Sequence, residues 1–288
     1  MLAGRQPTAQ DRRTLKGKLM IDKKIAFIGA GQMGSALLKG MLRAQALAAE
    51  RVWVSDKDPG KTSPLKKEWG VTVVSGNRQA AQQAGIIFLA IKPQQLDEVV
   101  DETRDVVRED HLLISIIAGV STKSLEGKFG KGIRVVRVMP NSPALVGKSV
   151  SVISRGEFAS ESEEQLVGQL FSAVGEVVFL GEEYQNRVTA LSGSGPAYFY
   201  LLVEELIKAG ESMGLSRDVA SQLIAGTIIG AGQMLKETGK SPAELCEIVT
   251  SPGGTTEAAL RVFKSGDFGG MVRRAVEAAV KRAEELGR

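Results

Sequence analysis

The sequence is poor in the side chains that most catalytic devices require. It holds one histidine, His111, and one cysteine, Cys246, in 288 residues. A single cysteine makes no internal disulfide, so nothing points to an oxidising compartment. The same two residues are too few for a structural zinc site or a histidine-rich catalytic metal site, and no metal is expected. Any Ser–His or Cys–His hydrolytic device would have to share His111. No run of 18 apolar residues is present, so no membrane-spanning helix is expected. An enzyme with this composition draws its hard chemistry from a cofactor.

A basic surplus is equally scarce once it is located. The net charge of +4 comes from 37 Lys and Arg against 33 Asp and Glu. Residues 1–20 hold Arg5, Arg12, Arg13, Lys16 and Lys18 against Asp11 alone, which leaves 32 of each sign in the remainder. There is thus no basic face for nucleic acid, and none is expected as a partner. Residues 1–20 are expected to be a disordered extension, with a targeting peptide as the alternative reading. The protein is expected to be cytoplasmic.

From Lys24 onward, short apolar runs alternate with helical periods. Lys24–Gly29, Val52–Ser55, Val71–Val74, Ile86–Ile91, Leu112–Ile117, Ile133–Val138, Val150–Ile153 and Val177–Leu180 are predicted strands. The continuous run Ile86–Ile91 suits a central parallel strand buried on both faces. The first helix is predicted from Gln32 to about Leu47. After about Glu182 the strand signals stop, and helices are predicted at Tyr184–Met213, Ser216–Thr238, Pro242–Thr250, Thr255–Lys264 and Phe268–Leu286. The expected fold is α/β: an N-terminal Rossmann-type, doubly wound, mostly parallel sheet over residues 21–182, then an all-α domain over 183–288 for substrate binding and dimerisation. The small-residue apolar stretch Ala225–Gly232 suits close helix approach within or between subunits. So much apolar surface on a small helical domain favours a dimer.

Gly29-Ala30-Gly31-Gln32-Met33-Gly34 is a G-x-G-x-x-G string between a predicted strand and a predicted helix. The first glycine suits a tight turn, the second lets backbone approach a pyrophosphate, and the third lets helix pack on strand. The helix N-terminus adds unpaired N–H donors for phosphate. Ser55-Asp56-Lys57-Asp58 follows the second strand. Asp56 would accept from the ribose hydroxyl of NADH, whereas Ser55 and Lys57 suit the extra phosphate of NADPH, so both cofactors stay open. Ala90-Ile91-Lys92-Pro93 ends the central strand on the ligand edge, where Lys92 is either a solvated cap or a ligand contact. Asn77 is first an N-cap candidate and second a contact for the adenosine half. Asn141 either reaches the nicotinamide end or stabilises the turn after the sixth strand.

In the helical part, Ser251-Pro252-Gly253-Gly254-Thr255-Thr256 makes a sharp turn that opens a helix. Its first-turn N–H groups and threonine hydroxyls suit a small carboxylate, and an ordinary helix connection fits as well. Leu191-Ser192-Gly193-Ser194-Gly195-Pro196 interrupts a helical pattern, by a start or a kink near Pro196.

Five strings in order, GAGQMG at 29–34, AIKPQ at 90–94, RVMPNSP at 137–143, LSGSGPAY at 191–198 and VTSPGGTTEAAL at 249–260, carry a resemblance to pyrroline-5-carboxylate reductase. The resemblance implies reduction of the ring imine of 1-pyrroline-5-carboxylate to L-proline by NADPH or NADH, the last step of proline synthesis. It also implies a homodimer with interleaved helical domains, often assembled further into rings. By resemblance, Gly29 to Gly34 bind pyrophosphate, Asn77 and Ala90 to Pro93 line the cofactor, and Ala118 lies beneath the nicotinamide. Ser251 to Thr256 would hold the substrate, with the Thr255 and Thr256 N–H groups on its carboxylate and the Thr256 hydroxyl near the ring nitrogen. Gly254 belongs to that turn, Ser251 and Thr256 are the catalytic candidates, and Glu182 matches a position near the site. The family commonly has small polar residues where Asp56 stands, and the tail has no counterpart there. The alternatives are a related imine reductase or a β-hydroxyacid dehydrogenase, for which Lys208 is the nearest candidate catalytic lysine, and a non-enzymatic nucleotide-binding protein.

Overall fold

The computed structural model describes residues 23–130 and 132–287; the extension expected over residues 1–20 lies outside them. Eight strands, β1 (Ile25–Ile28), β2 (Val52–Ser55), β3 (Thr72–Val73), β4 (Ile86–Leu89), β5 (Leu112–Ser115), β6 (Arg134–Met139), β7 (Ser149–Arg155) and β8 (Gly175–Phe179), form one sheet. Their spatial order is β3-β2-β1-β4-β5-β6-β7-β8. All neighbouring pairs are parallel except β6 with β7. The chain therefore reverses direction once, which keeps the sheet mostly parallel as the alternating pattern predicted.

Each residue of β1, β4 and β5 is buried, which explains their unbroken apolar runs. Phe27 and Phe88 stack with ring centroids 4.3 Å apart in the cluster on one face, which also takes up Leu37, Leu38 and Phe171. Ile28, Ile87, Leu113 and Leu125 belong to the cluster on the other. The helices that cover the sheet are α1 (Gln32–Arg43), α2 (Pro59–Trp69), α3 (Asn77–Gln82), α4 (Leu96–Thr103), α5 (Thr122–Phe129) and α6 (Glu161–Ser172). Several start where capping chemistry allows. Asp58 accepts from the Gly60 N–H ahead of α2, and Ser160 with Glu163 forms a reciprocal cap on α6.

Helix α1 ends four residues before the predicted Leu47. Ala46 N–H donates to Met41 and Gln45 N–H to Leu42, the nested pair that stops a helix, with Gln45 at φ 58. The predicted helix Tyr184–Met213 is also broken. Gln185–Val188 is a short helix α7, Thr189–Gly193 is a single π turn, and α8 (Gly195–Ser212) starts afresh with Pro196 in its first turn.

Helices α9 (Arg217–Glu237), α10 (Pro242–Ile248), α11 (Thr255–Ser265) and α12 (Phe268–Leu286) complete the chain. Two compact units result: Ser194–Lys281 is one, and the chain up to Gly193 with the chain from Arg282 is the other. In the helical unit only Gly195, Ile207, Gly210 and Ala220 are buried. Phe199, Tyr200, Leu201, Leu223, Ile229 and Phe263 are exposed. No helix of the described residues is long and apolar enough to cross a membrane.

Candidate active site

The turn from β1 into α1 is built around three glycines with three different demands. Gly29 has φ +97, and a Cβ there would sit 2.8 Å from the Ala90 carbonyl carbon. Its N–H donates to the Ser55 carbonyl at 2.8 Å, which ties the turn to β2. At Gly34 a Cβ would lie 2.7 Å from the Gly29 carbonyl oxygen, so helix and strand touch backbone to backbone. Gly31 differs: its backbone is ordinary for any residue, φ −65 and ψ −177, and a Cβ would meet no protein atom within 4 Å. That open space lies at the N-terminus of α1, where unpaired N–H groups and the helix dipole suit an anion. The turn therefore fits a dinucleotide pyrophosphate.

A groove of about 360 Å³ opens there, within the usual size of cofactor sites. It runs from Asp56, Lys57, Lys61 and Asn77 at one end to Ile116, Met139 and Pro140 at the other, past Ala90, Ile91 and Lys92. In a doubly wound sheet the two mononucleotide halves straddle the β1 and β4 crevice, so these ends suit the adenosine and nicotinamide halves respectively.

Asp56 is integral to the glycine turn. Its carboxylate accepts from the Ala30 N–H at 2.8 Å and the Asp58 N–H at 2.9 Å, with Lys61 Nζ at 3.4 Å. Burial pushes its pKa up, but the two amides and Lys61 outweigh that, and the net shift is downward. The neighbouring cations are likewise engaged, Lys57 with Glu98 and Arg78 with Asp105. Asn77 is not the cap of α3; that position is Gly76. Its side chain instead accepts from Ser55 Oγ at 2.8 Å and donates to Glu102 at 2.7 Å, bracing that end of the groove.

At the other end a buried ion pair underlies the loop after β5. Arg137, 2 % exposed on β6, donates to Glu182 Oε1 at 2.7 Å. The same oxygen accepts from the Thr122 N–H at 3.3 Å, at the start of α5. Burial raises the pKa of Glu182, opposed by Arg137 and Thr122. Asn141 takes the second of its two readings as a turn stabiliser. Its amide oxygen accepts from the Val150 N–H at 2.9 Å and its nitrogen donates to the Ser192 carbonyl at 3.1 Å.

In the helical unit, the turn before α11 has Gly253 at φ +72, and the Gly253 N–H donates to Glu257 at 2.8 Å. Gly254 is the N-cap residue, so the N–H groups of Thr255 and Thr256 belong to the first helical turn and have no intrahelical acceptor. Ser251 and Thr255 are exposed and Thr256 is half-buried.

Of the sequence-predicted residues, Gly29, Gly31, Gln32, Met33, Gly34, Asp56, Asn77, Ala90, Ile91 and Lys92 converge on the groove. Ala30 serves it through its N–H to Asp56, Pro93 starts a 3-10 turn beside it, and Ala118 packs against the cluster of Met139, Val152 and Val188. Glu182 lies under the loop, and Ser251, Gly254, Thr255 and Thr256 share one turn of the other unit. Lys208 is exposed and bound to Glu205 at 2.8 Å. Sequence reasoning missed Arg137 as the partner of Glu182. The signal was there: a charge inside the apolar run of β6 demands a buried counter-charge. No group of three or more His, Cys, Asp or Glu side chains that could hold a metal ion occurs among the described residues.

Residues 182–286 match the family described as pyrroline-5-carboxylate reductase dimerisation, and residues 24–119 match one described as NADP oxidoreductase, coenzyme F420-dependent. The pyrroline-5-carboxylate reductase of Pseudomonas aeruginosa is 41% identical over 93% of this chain and 98% of its own length. That of Pisum sativum is 38% identical over 91% and 95%. Among solved structures, the Plasmodium falciparum pyrroline carboxylate reductase with NADP bound superposes with a TM-score of 0.85 at 32% identity, covering 93% of this chain and all of that one. The Coxiella burnetii pyrroline-5-carboxylate reductase gives 0.85 at 36% identity, covering 92% and 99%.

Proposed function

The chain belongs to the pyrroline-5-carboxylate reductase family, and from that premise we propose how its residues carry the reaction. It reduces the ring imine of 1-pyrroline-5-carboxylate to L-proline with NAD(P)H, the last step of proline biosynthesis. The observation that carries the reading is the Gly29–Gly34 turn, whose middle glycine faces open space in the groove.

In this reading Gly29 to Gly34 hold the pyrophosphate on the first-turn amides of α1, while Asp56 and Asn77 meet the adenosine half. A dinucleotide held there would supply the hydride for the imine carbon. The ring nitrogen gains a proton, and a protonated imine is electrophilic enough to need no strong general acid. The chain's own task is then placement and charge complementarity. Thr255 and Thr256 N–H groups take the substrate carboxylate, and the Thr256 hydroxyl orients the ring nitrogen, with Ser251 shaping the turn. Glu182, held by Arg137, fixes the loop that carries Ala118.

The helical unit supports a homodimer: four buried residues in 88 leave its apolar faces without cover inside one chain. Light scattering of the purified protein reads that mass, and reports any further assembly into rings. A cytoplasmic location fits a chain with a single cysteine.

The test follows NADH and NADPH oxidation separately with 1-pyrroline-5-carboxylate, and with a hydroxyacid as control. Oxidation with the imine alone is expected. Thr256→Val should cut kcat/KM sharply at nearly unchanged cofactor affinity; an unaltered kcat/KM sinks the role of Thr256, and turnover of the hydroxyacid instead sinks the reaction.

A further inference from the structure

The loop after β5, Ile116 to Ser121, reaches the nicotinamide end of the groove through Ile116 and packs Ala118 against the cluster of Met139, Val152 and Val188, of which Met139 also lines the groove. Its two ends are fastened. Ile116 N–H donates to the Leu89 carbonyl at 3.2 Å, and Ser121 caps α5, whose Thr122 N–H is held by Glu182. Its middle, Gly119, is held differently. The residue has φ +79, and a Cβ there would lie 2.9 Å from the Ala283 carbonyl oxygen, the Gly287 nitrogen and the Leu286 Cβ alike.

Ala283 and Leu286 stand in the last turn of α12 and Gly287 follows it, and all three belong to the same compact unit as the groove. Ala283 is 3 % exposed, the one buried residue of α12. The approach is mutual: a Cβ on Gly287 would fall onto the Gly119 carbonyl, closer than any Cβ contact. Two glycines thus meet backbone to backbone, leaving no flexible side chain to absorb a shift.

We propose that the last turn of α12, through Leu286 and the Gly287 that follows it, is a positioning element for the nicotinamide half of the groove: it sets Gly119, and with it the Ile116–Ala118 surface. The proposal rests on the groove being a dinucleotide site. It predicts that moving this turn disturbs one half of the cofactor and spares the other, because the glycine turn, Asp56 and Asn77 follow β1, β2 and β3, not β5.

The experiment uses the full chain with Gly287→Ala. Calorimetric titrations measure the affinity for NADPH and for 2′,5′-ADP, which lacks the nicotinamide, and are repeated with NADH and ADP. The expected result is an unchanged affinity for the adenosine fragments and a loss for the whole cofactors on the order of tenfold. Turnover of the imine at saturating cofactor should fall by roughly 10- to 100-fold, the scale of a 1 Å misplacement. Leu286→Ala, which only removes packing, should show the same split to a smaller degree and serves if Gly287→Ala does not fold. Unchanged whole-cofactor affinity and turnover overturn the proposal, and so does a parallel loss of fragment and whole-cofactor affinity. A wild-type protein that shows the split on mutation but never reduces the imine refutes the proposed reaction and leaves this inference standing.

Discussion

Gly31→Ala separates the two jobs of the glycine turn. The backbone at Gly31 suits alanine, and the added methyl meets no protein atom within 4 Å. Reduced freedom of the unfolded chain should stabilise by about 0.4–1 kcal/mol, and the poorer N-cap should cost a similar amount, so folding stability should hardly move. The methyl does occupy the space through which a pyrophosphate reaches the α1 amides. Losing one such charge-assisted hydrogen bond costs about 1.5–3 kcal/mol, a 10- to 150-fold weaker Kd. The assay is thermal unfolding with and without NADPH. At a concentration near 100 times the wild-type Kd, ligand adds about 2.7 kcal/mol of stability; a 30-fold weaker variant should gain only about 0.9 kcal/mol. Gly34→Ala is the contrasting control. Its methyl lands 2.7 Å from the Gly29 carbonyl oxygen, so it should lose about 1–3 kcal/mol of stability even without ligand. A Gly31→Ala protein with the full wild-type gain on NADPH would refute the placement of phosphate on this turn.

Three further outcomes are expected. Asp56→Ser should raise the NADPH/NADH ratio of kcat/KM, and because its carboxyl is held below the usual carboxylate range, the wild-type ratio should not vary from about pH 7.5 to 9, above the titration of the 2′-phosphate; an unchanged ratio in the variant defeats the role. Arg137→Met strands the Glu182 carboxylate and should cost about 3–5 kcal/mol in urea unfolding, most of it recovered in Arg137→Met/Glu182→Gln; simple additivity of the two single losses argues against the pair. Burial pushes the pKa of His111 below its ordinary 6.5, so stability is full above that pH and declines as pH falls through it, by at most about 1.4 kcal/mol per pH unit. As His111 is the single histidine, His111→Asn should flatten that decline, and a slope equal to wild type would exclude it as the source.

What was legible in the sequence depended on whether the cause was local. The runs at β1 and β4 were readable because burial on both faces leaves no polar position. The end of α1 was not, because a glutamine holds the left-handed position where glycine is the usual signal. Asn77 was misplaced as a cap because its partners, Ser55 and Glu102, stand 22 and 25 residues away. Arg137 announced a buried partner without saying that it lay 45 residues on.

The Ala225–Gly232 stretch is the opposite case. Its small, apolar character was plain, yet one chain could not say what it packs against. Among the described residues, a Cβ on Gly226, Gly230 or Gly232 would meet no atom within 4 Å. Glycine inside a helix costs about 1 kcal/mol relative to alanine, and ordering each backbone residue costs about 1–2 kcal/mol more. A helical unit with four buried residues has little apolar burial to set against such terms. A second helix laid against Gly226 and Gly230, four residues apart on one face of α9, would supply such burial, and a surface free of side chains there would let it approach closely.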